Sequence, residues 1–310
     1  MSTYVEARDV AGAVAAMAAG ARPIAGGTDL VVGARHGKAP LPQALVGIHR
    51  IAELSTIEHA SDGGLRIGAL VTHAQLLADP DVAQRLPGLQ DASAIVGSHA
   101  TRANGTLGGN VMNASPAMDT GAPLLCHGAR AVLVGPQGTR TVGLDELWTA
   151  PGRISASPDE LLMAIEIPAA GEGSDGGAAG NESSAYVRLQ YRRQMEIAIV
   201  GAGAWVQLSP DGASVQQARV AITALTPVIC RVPAAEQALT GVGGGDLDAA
   251  VHAAGEAAAA ASRPISDVRA SAEYRRAMAA VVTRRAVQAA IRRARGEQVA
   301  VPASDWSVVR

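Results

Sequence analysis

A run of small and polar residues, AAGEGSDGGAAGNESS at residues 169–184, interrupts every hydrophobic pattern of the chain. Its five glycines favour neither helix nor strand, and it holds no apolar side chain larger than alanine. The chain has 310 residues, a length at which hydrophobic cores commonly divide. We therefore expect two domains joined by a Gly-rich linker or a long loop.

The residues before this run alternate between short strand patterns and short helix patterns. Strands are predicted at residues 22–25, 44–48, 65–70 and 131–134. Helices are predicted after Asp9 and after Thr72, because both residue types are favourable N-caps. The pattern indicates an α+β or an α/β domain.

The residues after the run place strand patterns first and helix patterns afterwards. Three longer strands are predicted at residues 186–191, 197–208 and 218–225. Helical stretches follow, beginning at Ala234, Asp248 and Ser271. This order predicts a sheet that is backed by a helical layer.

Composition excludes several classes of function. The 26 Lys and Arg residues balance 28 Asp and Glu residues, so no overall basic charge points to a nucleic-acid partner. Cys126 and Cys230 are too few to hold an iron–sulfur cluster or a four-ligand zinc site by themselves. No segment has the roughly 20 unbroken apolar residues of a membrane span, and the acidic N-terminal stretch does not fit a signal peptide. We expect a soluble protein of the reducing cytoplasm with no membrane span.

Aromatic residues are scarce, with 3 Trp, 4 Tyr and no Phe. The core must therefore be built from Ala, Val, Leu and Ile. A flat ligand would be bound mainly by backbone and aliphatic groups.

Two glycine-rich loops of the first domain share one pattern. The sequences PIAGGTDL at residues 23–30 and TLGGN at residues 106–110 each place a threonine beside paired glycines. Such a loop can turn tightly and point several backbone N–H groups at a diphosphate, which a Cβ would hold at a distance. Neither loop matches the dinucleotide fingerprint or the P-loop. Two interpretations remain: a pair of phosphate-binding loops, or two ordinary turns in a chain with 35 glycines.

Longer motifs around these loops resemble the FAD-binding subunit of the molybdenum hydroxylases, the xanthine dehydrogenase family. They are AGGTDL at residues 25–30, TRANGTLGGNVMNASPAMDTGAPLL at 101–125 and DELLMAIEIP at 159–168. The resemblance continues in YVRLQYRRQMEIAIVGAGAWV at 186–206 and PISDVRASAEYRRAMAAVVTRRAV at 264–287. It covers nearly the whole chain.

The resemblance implies an α+β fold. Its N-terminal FAD-binding domain would have two lobes that clamp an extended FAD, the type shared with vanillyl-alcohol oxidase and called PCMH. Its C-terminal domain would combine a three-stranded antiparallel sheet with a helical bundle. The expected bounds are 1–172 for the FAD-binding domain (lobes at about 1–55 and 56–172), 173–184 for the linker, 185–300 for the C-terminal domain and 301–310 for a tail.

The resemblance also implies which residues bind FAD. By the resemblance, the residues that bind the diphosphate are Ile24, Ala25, Gly26, Gly27, Thr28 and Asp29 in the first loop and Thr106, Leu107, Gly108, Gly109 and Asn110 in the second. The resemblance implies further contacts to the adenosine or flavin from Thr101, Asp119, Leu162 and Arg188. At Ala103 the chain departs from the family, which usually has Asn there, so no side-chain contact is expected at that position.

Some of these residues have a second interpretation. Asp119 either caps the apolar helix pattern that follows it or contacts a ribose hydroxyl. Arg188 either reaches over the flavin or forms an ion pair between the domains. His99 is interpreted as a structural or solvated residue, and Cys126 as a small buried hydrophobe. A basic helix face, either solvated or at the rim of a docking surface, is formed by Arg275, Arg276, Arg284 and Arg285.

The function implied by the resemblance is electron transfer without a catalytic residue or metal ligand of its own. The chain would carry FAD and pass electrons from [2Fe-2S] clusters of a small partner subunit to a terminal acceptor. A large molybdopterin subunit would complete the complex, with two copies of each chain. Because Thr28, Asp29 and Asn110 differ from the His, Ser and Ser usual in the CO dehydrogenase branch, a purine or another nitrogen heterocycle is the expected substrate.

Three other functions remain open from the sequence. The chain could be a self-contained FAD-dependent reductase or oxidase of the same fold. It could be a medium subunit of the carbon monoxide dehydrogenase type. It could also be a flavin-free relative that serves as a scaffold.

Overall fold

The computed structural model describes residues 3–37, 39–169 and 181–306. Most of the predicted linker, residues 173–180, and the end of the predicted tail, residues 307–310, lie outside this part of the chain. None of the helices in the described ranges is long and apolar enough to cross a membrane.

The first sheet is small and parallel. Its elements are β1 (Thr3–Glu6), α1 (Val10–Ala18), β2 (Arg22–Ile24), α2 (Leu30–Arg35) and β3 (Ala44–Gly47). The strand order is β1-β3-β2. The carboxylate of Asp9 accepts from the Gly12 amide at 2.7 Å and caps α1, as predicted. A short 3-10 turn (Ala52–Leu54) leads out of this lobe.

The second sheet is antiparallel and has five strands in the order β4-β5-β10-β6-β7. Its elements begin with β4 (Ile57–His59), β5 (Leu65–Gly68), α3 (His73–Ala78), α4 (Pro80–Arg85), α5 (Pro87–Ile95), α6 (His99–Asn104), α7 (Leu107–Asn113) and α8 (Gly121–Cys126). They continue with β6 (Arg130–Gly135), β7 (Gly138–Gly143), α9 (Leu144–Leu147), β8 (Trp148–Ala150), β9 (Arg153–Ile154) and β10 (Leu161–Ile167). Thr72 caps α3 in a reciprocal capping box with Gln75, which confirms the predicted helix start.

The third sheet belongs to the C-terminal half. Its elements are β11 (Glu182–Leu189), β12 (Val200–Leu208), β13 (Val215–Thr223), β14 (Cys230–Arg231), α10 (Pro233–Leu239), α11 (Leu247–Ala261), α12 (Ala272–Ala294) and α13 (Ala303–Trp306). The sheet is antiparallel in the order β11-β12-β13-β14. The expectation of three strands is therefore wrong by one, because the two-residue β14 was too short to leave a pattern in the sequence. The strand β11 also starts at Glu182, before the expected start of the C-terminal domain at residue 185.

This third sheet is a middle layer. One face, with Tyr186 and Trp205, joins the core of the second lobe. The other face, with Val187 and Val206, packs on α12, and α11 packs in turn on α12. Every residue of β12 is buried, and its sequence VGAGAWVQL uses small side chains because helices approach from both sides. At Gly203 an added Cβ would lie 3.0 Å from the Ala122 carbonyl carbon of α8.

A buried ion pair joins the two halves of the molecule. The guanidinium of Arg293 on α12 donates to both carboxylate oxygens of Asp91 on α5, at 2.7 and 2.9 Å. The same carboxylate accepts from the backbone amides of Tyr186 at 3.0 Å and Ala303 at 2.9 Å. Asp91 has no exposed side-chain surface, so its charge depends on these partners.

We predict that Arg293→Met lowers the free energy of unfolding by about 3–5 kcal/mol, because Asp91 then stays buried without its cation. Urea denaturation followed by circular dichroism measures this loss. The matched control is Arg276→Met on the exposed side of α12, which should change stability by less than about 0.5 kcal/mol. Equal losses in the two variants would contradict the assigned role of the ion pair.

Candidate functional site

The first glycine-rich loop meets Asn104 and Gly105, the two residues directly before the second loop. The first lies between β2 and α2, and the second follows α6 and opens α7. A Cβ added to Gly26 would fall 1.8 Å from the carbonyl oxygen of Asn104 and 3.3 Å from the Gly105 amide nitrogen. The backbones are therefore in direct contact at a position where any side chain would force them apart.

The first loop presents open hydrogen-bond donors. Within the described part of the chain, the amides of Gly26, Gly27 and Thr28 donate to no acceptor, and the Thr28 hydroxyl has no partner. Gly27 has φ +67°, a left-handed conformation that glycine adopts without strain. Three consecutive amides and a hydroxyl at a half-buried turn are what an anionic diphosphate requires.

The backbone amides from Leu107 to Asn110 in the second loop are already used, which corrects the expectation that both loops offer such donors. The amides of Leu107 and Gly108 donate to the carbonyls of Val71 at 2.8 Å and Ala69 at 3.0 Å. Next along the chain, the Gly109 amide donates to the Thr106 hydroxyl, and the Asn110 amide donates to the Thr106 carbonyl, both at 3.0 Å. These bonds anchor the loop to the segment after β5.

The side chain of Asn110 remains available as a donor. The buried Thr120 hydroxyl donates to Asn110 Oδ1 at 2.7 Å, which leaves the amide Nδ2 as the group that can face a ligand. Gly109 is exposed, and only Thr106 Oγ1 lies near the position of an added Cβ. At Gly108, in contrast, an added Cβ would fall 2.6 Å from the Cβ of Ala69, so the role of this glycine is structural. Of the two paired glycines, Gly108 therefore allows close packing of the loop, and Gly109 leaves the backbone accessible to a ligand.

Asp119 and Arg188 come together between the domains, in the inter-domain ion pair that was one of the two interpretations of Arg188. Arg188 Nη1 donates to Asp119 Oδ2 at 2.7 Å, and the Tyr186 hydroxyl donates to Asp119 Oδ1 at 2.8 Å. Burial raises the pKa of the Asp119 carboxyl, and the charge of Arg188 opposes that shift. The capping interpretation of Asp119 is wrong, because Thr120 occupies the N-cap position of α8.

The guanidinium of Arg188 has partners on every side. Besides Asp119 it donates to the Gln190 side chain and to the backbone carbonyls of Ile95 at 3.1 Å and Glu196 at 3.3 Å. An inter-domain ion pair is thus the geometry that the structure shows. A contact from Arg188 to the flavin stays a prediction, and it would require one of these bonds to be exchanged.

The other residues that were expected to bind FAD differ in which of their groups a ligand could reach. Thr101 on α6 bonds to Ser98 and, at 3.8 Å, approaches the sulfur of Met195. Leu162 has a buried side chain in the core beside a bulge in β10, so it can offer a ligand only its backbone. Ile24 ends β2, Ala25 follows it, and Asp29 precedes α2 without a side-chain cap. Their contacts to a cofactor stay predictions.

Sequence reasoning missed Tyr186 and Asp91, which organise the contact between the domains. Tyr186 lay inside a quoted motif, and its place in a β-strand facing the FAD-binding lobe could have been found from the alternation of that strand. Cys126 is fully buried, and burial raises the pKa of its thiol to about 12, in line with a hydrophobic rather than a nucleophilic role. Among the described residues, no three His, Cys, Asp or Glu side chains could together hold a metal ion.

Comparisons with known proteins cover both halves of the chain. The family described as "FAD binding domain in molybdopterin dehydrogenase" matches residues 1–170, and "CO dehydrogenase flavoprotein C-terminal domain" matches residues 185–290. The xanthine dehydrogenase FAD-binding subunit of Escherichia coli is 30% identical over 89% of this chain and 91% of its own. The carbon monoxide dehydrogenase medium chain of Afipia carboxidovorans is 34% identical over 89% and 90%.

A solved structure shows the same fold. It is the carbon monoxide dehydrogenase of Hydrogenophaga pseudoflava that lacks the Mo-pyranopterin moiety of the molybdenum cofactor. One of its chains superposes with a TM-score of 0.85 and 32% sequence identity, covering 93% of this chain and 96% of that one.

We predict that Gly26→Ala loses most of its bound FAD, because the added Cβ would separate the two loops at Asn104. The flavin-to-protein ratio after gel filtration measures retention. Gly33→Ala in α2 is the matched control, since nothing lies within 4 Å of its added Cβ, and it should keep the wild-type ratio. Wild-type flavin content in Gly26→Ala would show that the loop contact is not needed for binding.

Proposed function

The chain belongs to the FAD-binding medium subunits of the xanthine dehydrogenase and CO dehydrogenase family, and we propose that the two contacting loops hold its FAD diphosphate. It is an FAD-carrying electron-transfer subunit of a molybdenum-containing hydroxylase or dehydrogenase. The observation that supports the position of the diphosphate is the run of open amides from Gly26 to Thr28, beside the contact of Gly26 with Asn104.

The residues of the site suit an anionic, extended ligand. Bound FAD supplies the redox chemistry of the subunit, and the protein binds and orients it. In our proposal the first loop donates from its amides and from Thr28, while Asn110 donates from its side chain across the contact. Gly27 lets the first loop turn through a φ of +67°, and an added Cβ there would crowd Ile24 and Val31 at 3.3 Å. Gly109 leaves the backbone of the second loop uncovered by a side chain.

We extend the proposal to the remaining expected residues and to the domain bounds. Thr101 and the backbone of Leu162 would contact the adenosine or flavin parts, with Asp119 and Arg188 supporting the site from the domain contact. The FAD-binding domain would span residues 1–172 with lobes at about 1–55 and 56–172, the linker 173–184, the C-terminal domain 185–300 and the tail 301–310. The start of the second sheet at Ile57 supports the division into lobes.

The proposed partner subunits are inferred from the relatives, whose names describe them as a medium chain or an FAD-binding subunit of an enzyme. We propose that this chain assembles with a large molybdopterin subunit and a small subunit carrying [2Fe-2S] clusters, in two copies each, in the cytoplasm. The substrate would be a purine or another nitrogen heterocycle, an assignment supported by Thr28, Asp29 and Asn110 at the loop positions. A carbon monoxide dehydrogenase remains the second candidate, supported by the relative from Afipia carboxidovorans.

We predict that native-level expression with an affinity tag recovers this chain together with two partners, one containing molybdenum and one containing iron. Mass analysis and quantification of flavin, iron and molybdenum test this composition. The isolated chain with FAD should show little activity on purines, nicotinate-like heterocycles or carbon monoxide.

Two results would contradict the proposal. Recovery of this chain alone at low salt, with flavin and neither metal, would refute its place in a complex. Robust substrate-dependent reduction of flavin by the lone chain would favour a self-contained reductase or oxidase instead.

A further inference from the structure

The end of the chain closes the free edge of the third sheet. The strand β11 stands first in the order β11-β12-β13-β14, so one of its edges has no neighbouring strand. Side chains accept from the amides of this edge: Asp91 Oδ2 from Tyr186 at 3.0 Å, and Ser304 Oγ from Arg188 at 2.9 Å. Ser304 lies in α13, beyond residue 290, where the match to the C-terminal family ends.

The segment that carries Ser304 is docked on both halves of the molecule. We call residues 299–306 the C-terminal strap. Its Ala303 side chain is fully buried, and Ser304 is 4% exposed. The Ala303 amide donates to Asp91 Oδ1 at 2.9 Å, and Arg293 Nη2 donates to a strap carbonyl at 3.1 Å. The strap is therefore part of the folded domain contact rather than a free tail.

The residue that Ser304 holds by its amide reaches into the second lobe with its side chain. The guanidinium of Arg188 has no exposed surface. Its Nη1 donates to Asp119 Oδ2 at 2.7 Å, and its Nη2 donates to the carbonyl of Ile95 at 3.1 Å. Because the strand backbone carries this side chain, the bond to Ser304 helps to fix where the guanidinium lies.

Ile95 leads directly to the loop contact of the candidate site. It is the last residue of α5, and the short connection that follows opens α6. The carbonyl of Gly97 in this connection accepts from the Met195 amide of the C-terminal half at 3.0 Å. At its other end, α6 finishes at Asn104, whose carbonyl meets Gly26. A continuous series of contacts thus joins the strap to the first glycine-rich loop.

We propose that Ser304 is a positioning residue of the cofactor site, which acts through Arg188 and the connection between α5 and α6 on the contact of Gly26 with Asn104. The inference rests on the proposed position of the FAD diphosphate at the first loop. Without the hydroxyl, the buried Arg188 amide loses its acceptor, which costs free energy unless the strand or the strap moves. Movement of the strand withdraws the guanidinium from the Ile95 carbonyl and releases the connection that supports the loop contact.

The test compares two substitutions of nearly equal shape in the full chain, by titrating the FAD-depleted protein with FAD. Ser304→Thr keeps the hydroxyl, and Ser304→Val replaces it with a methyl group. Ser304→Val should bind FAD about fivefold more weakly than Ser304→Thr, the lower end of typical coupling between two sites. The exposed Asp305→Ala in the same helix is the matched control and should bind as the wild type does. Equal FAD affinity in the Thr and Val variants would overturn the role of Ser304.

A second measurement uses the wild-type chain and covers the case in which Ser304→Val does not fold. Coupling between two sites is reciprocal, so a strap that strengthens FAD binding must itself be held more firmly when FAD is bound. Hydrogen exchange of the Arg188 and Ala303 amides should therefore slow on addition of FAD, while that of Gly212 in the distant β12–β13 turn should not change. Unchanged exchange at Arg188 and Ala303 in the FAD complex would overturn the inference and leave the proposed function intact. A wild-type chain that binds no FAD would instead refute the proposed function.

Discussion

The close approach of Gly26 to the carbonyl of Asn104 is the contact on which the candidate site depends. It joins a turn of the first lobe to a helix connection of the second, and it exists only because residue 26 has no Cβ. The loops differ in which amides they leave open: the first keeps those of Gly26, Gly27 and Thr28 free, whereas the second ties those of Leu107 and Gly108 to the segment after β5. The site is thus one open loop supported by one anchored loop.

Buried carboxylates then fix the C-terminal half against the lobe that carries the anchored loop. Asp91 holds Arg293 and the Tyr186 amide, and Asp119 holds Arg188 and the Tyr186 hydroxyl. Tyr186 therefore donates to one carboxylate from its backbone amide and to the other from its ring hydroxyl. The C-terminal half contributes Tyr186, Trp205, Ala221 and Ile229 to the buried core at this contact, and the polar bonds set its orientation.

Sequence patterns among neighbouring residues predicted much of the fold, but they could not predict contacts between residues far apart in the chain. Asp9 and Thr72 cap helices as expected, since capping depends on neighbours within one turn. The short β14 was missed because two residues leave no alternating pattern, and the early start of β11 at Glu182 was missed because it depends on pairing with Gln207 of β12. In the site, glycine spacing identified the loops, yet it could not distinguish Gly108, which packs on Ala69, from Gly109, which is exposed. Likewise Asp119 and Arg188 were both singled out, while their mutual ion pair required the folded chain.

The most direct measurement is a crystal structure of the full chain with FAD. The account predicts that the diphosphate lies within hydrogen-bond distance, about 2.7–3.2 Å, of the amides of Gly26, Gly27 and Thr28. The amides of Leu107 and Gly108 should keep their bonds to Val71 and Ala69 in that complex. A diphosphate seated on those second-loop amides with the anchoring bonds broken, or bound away from both loops, would contradict it.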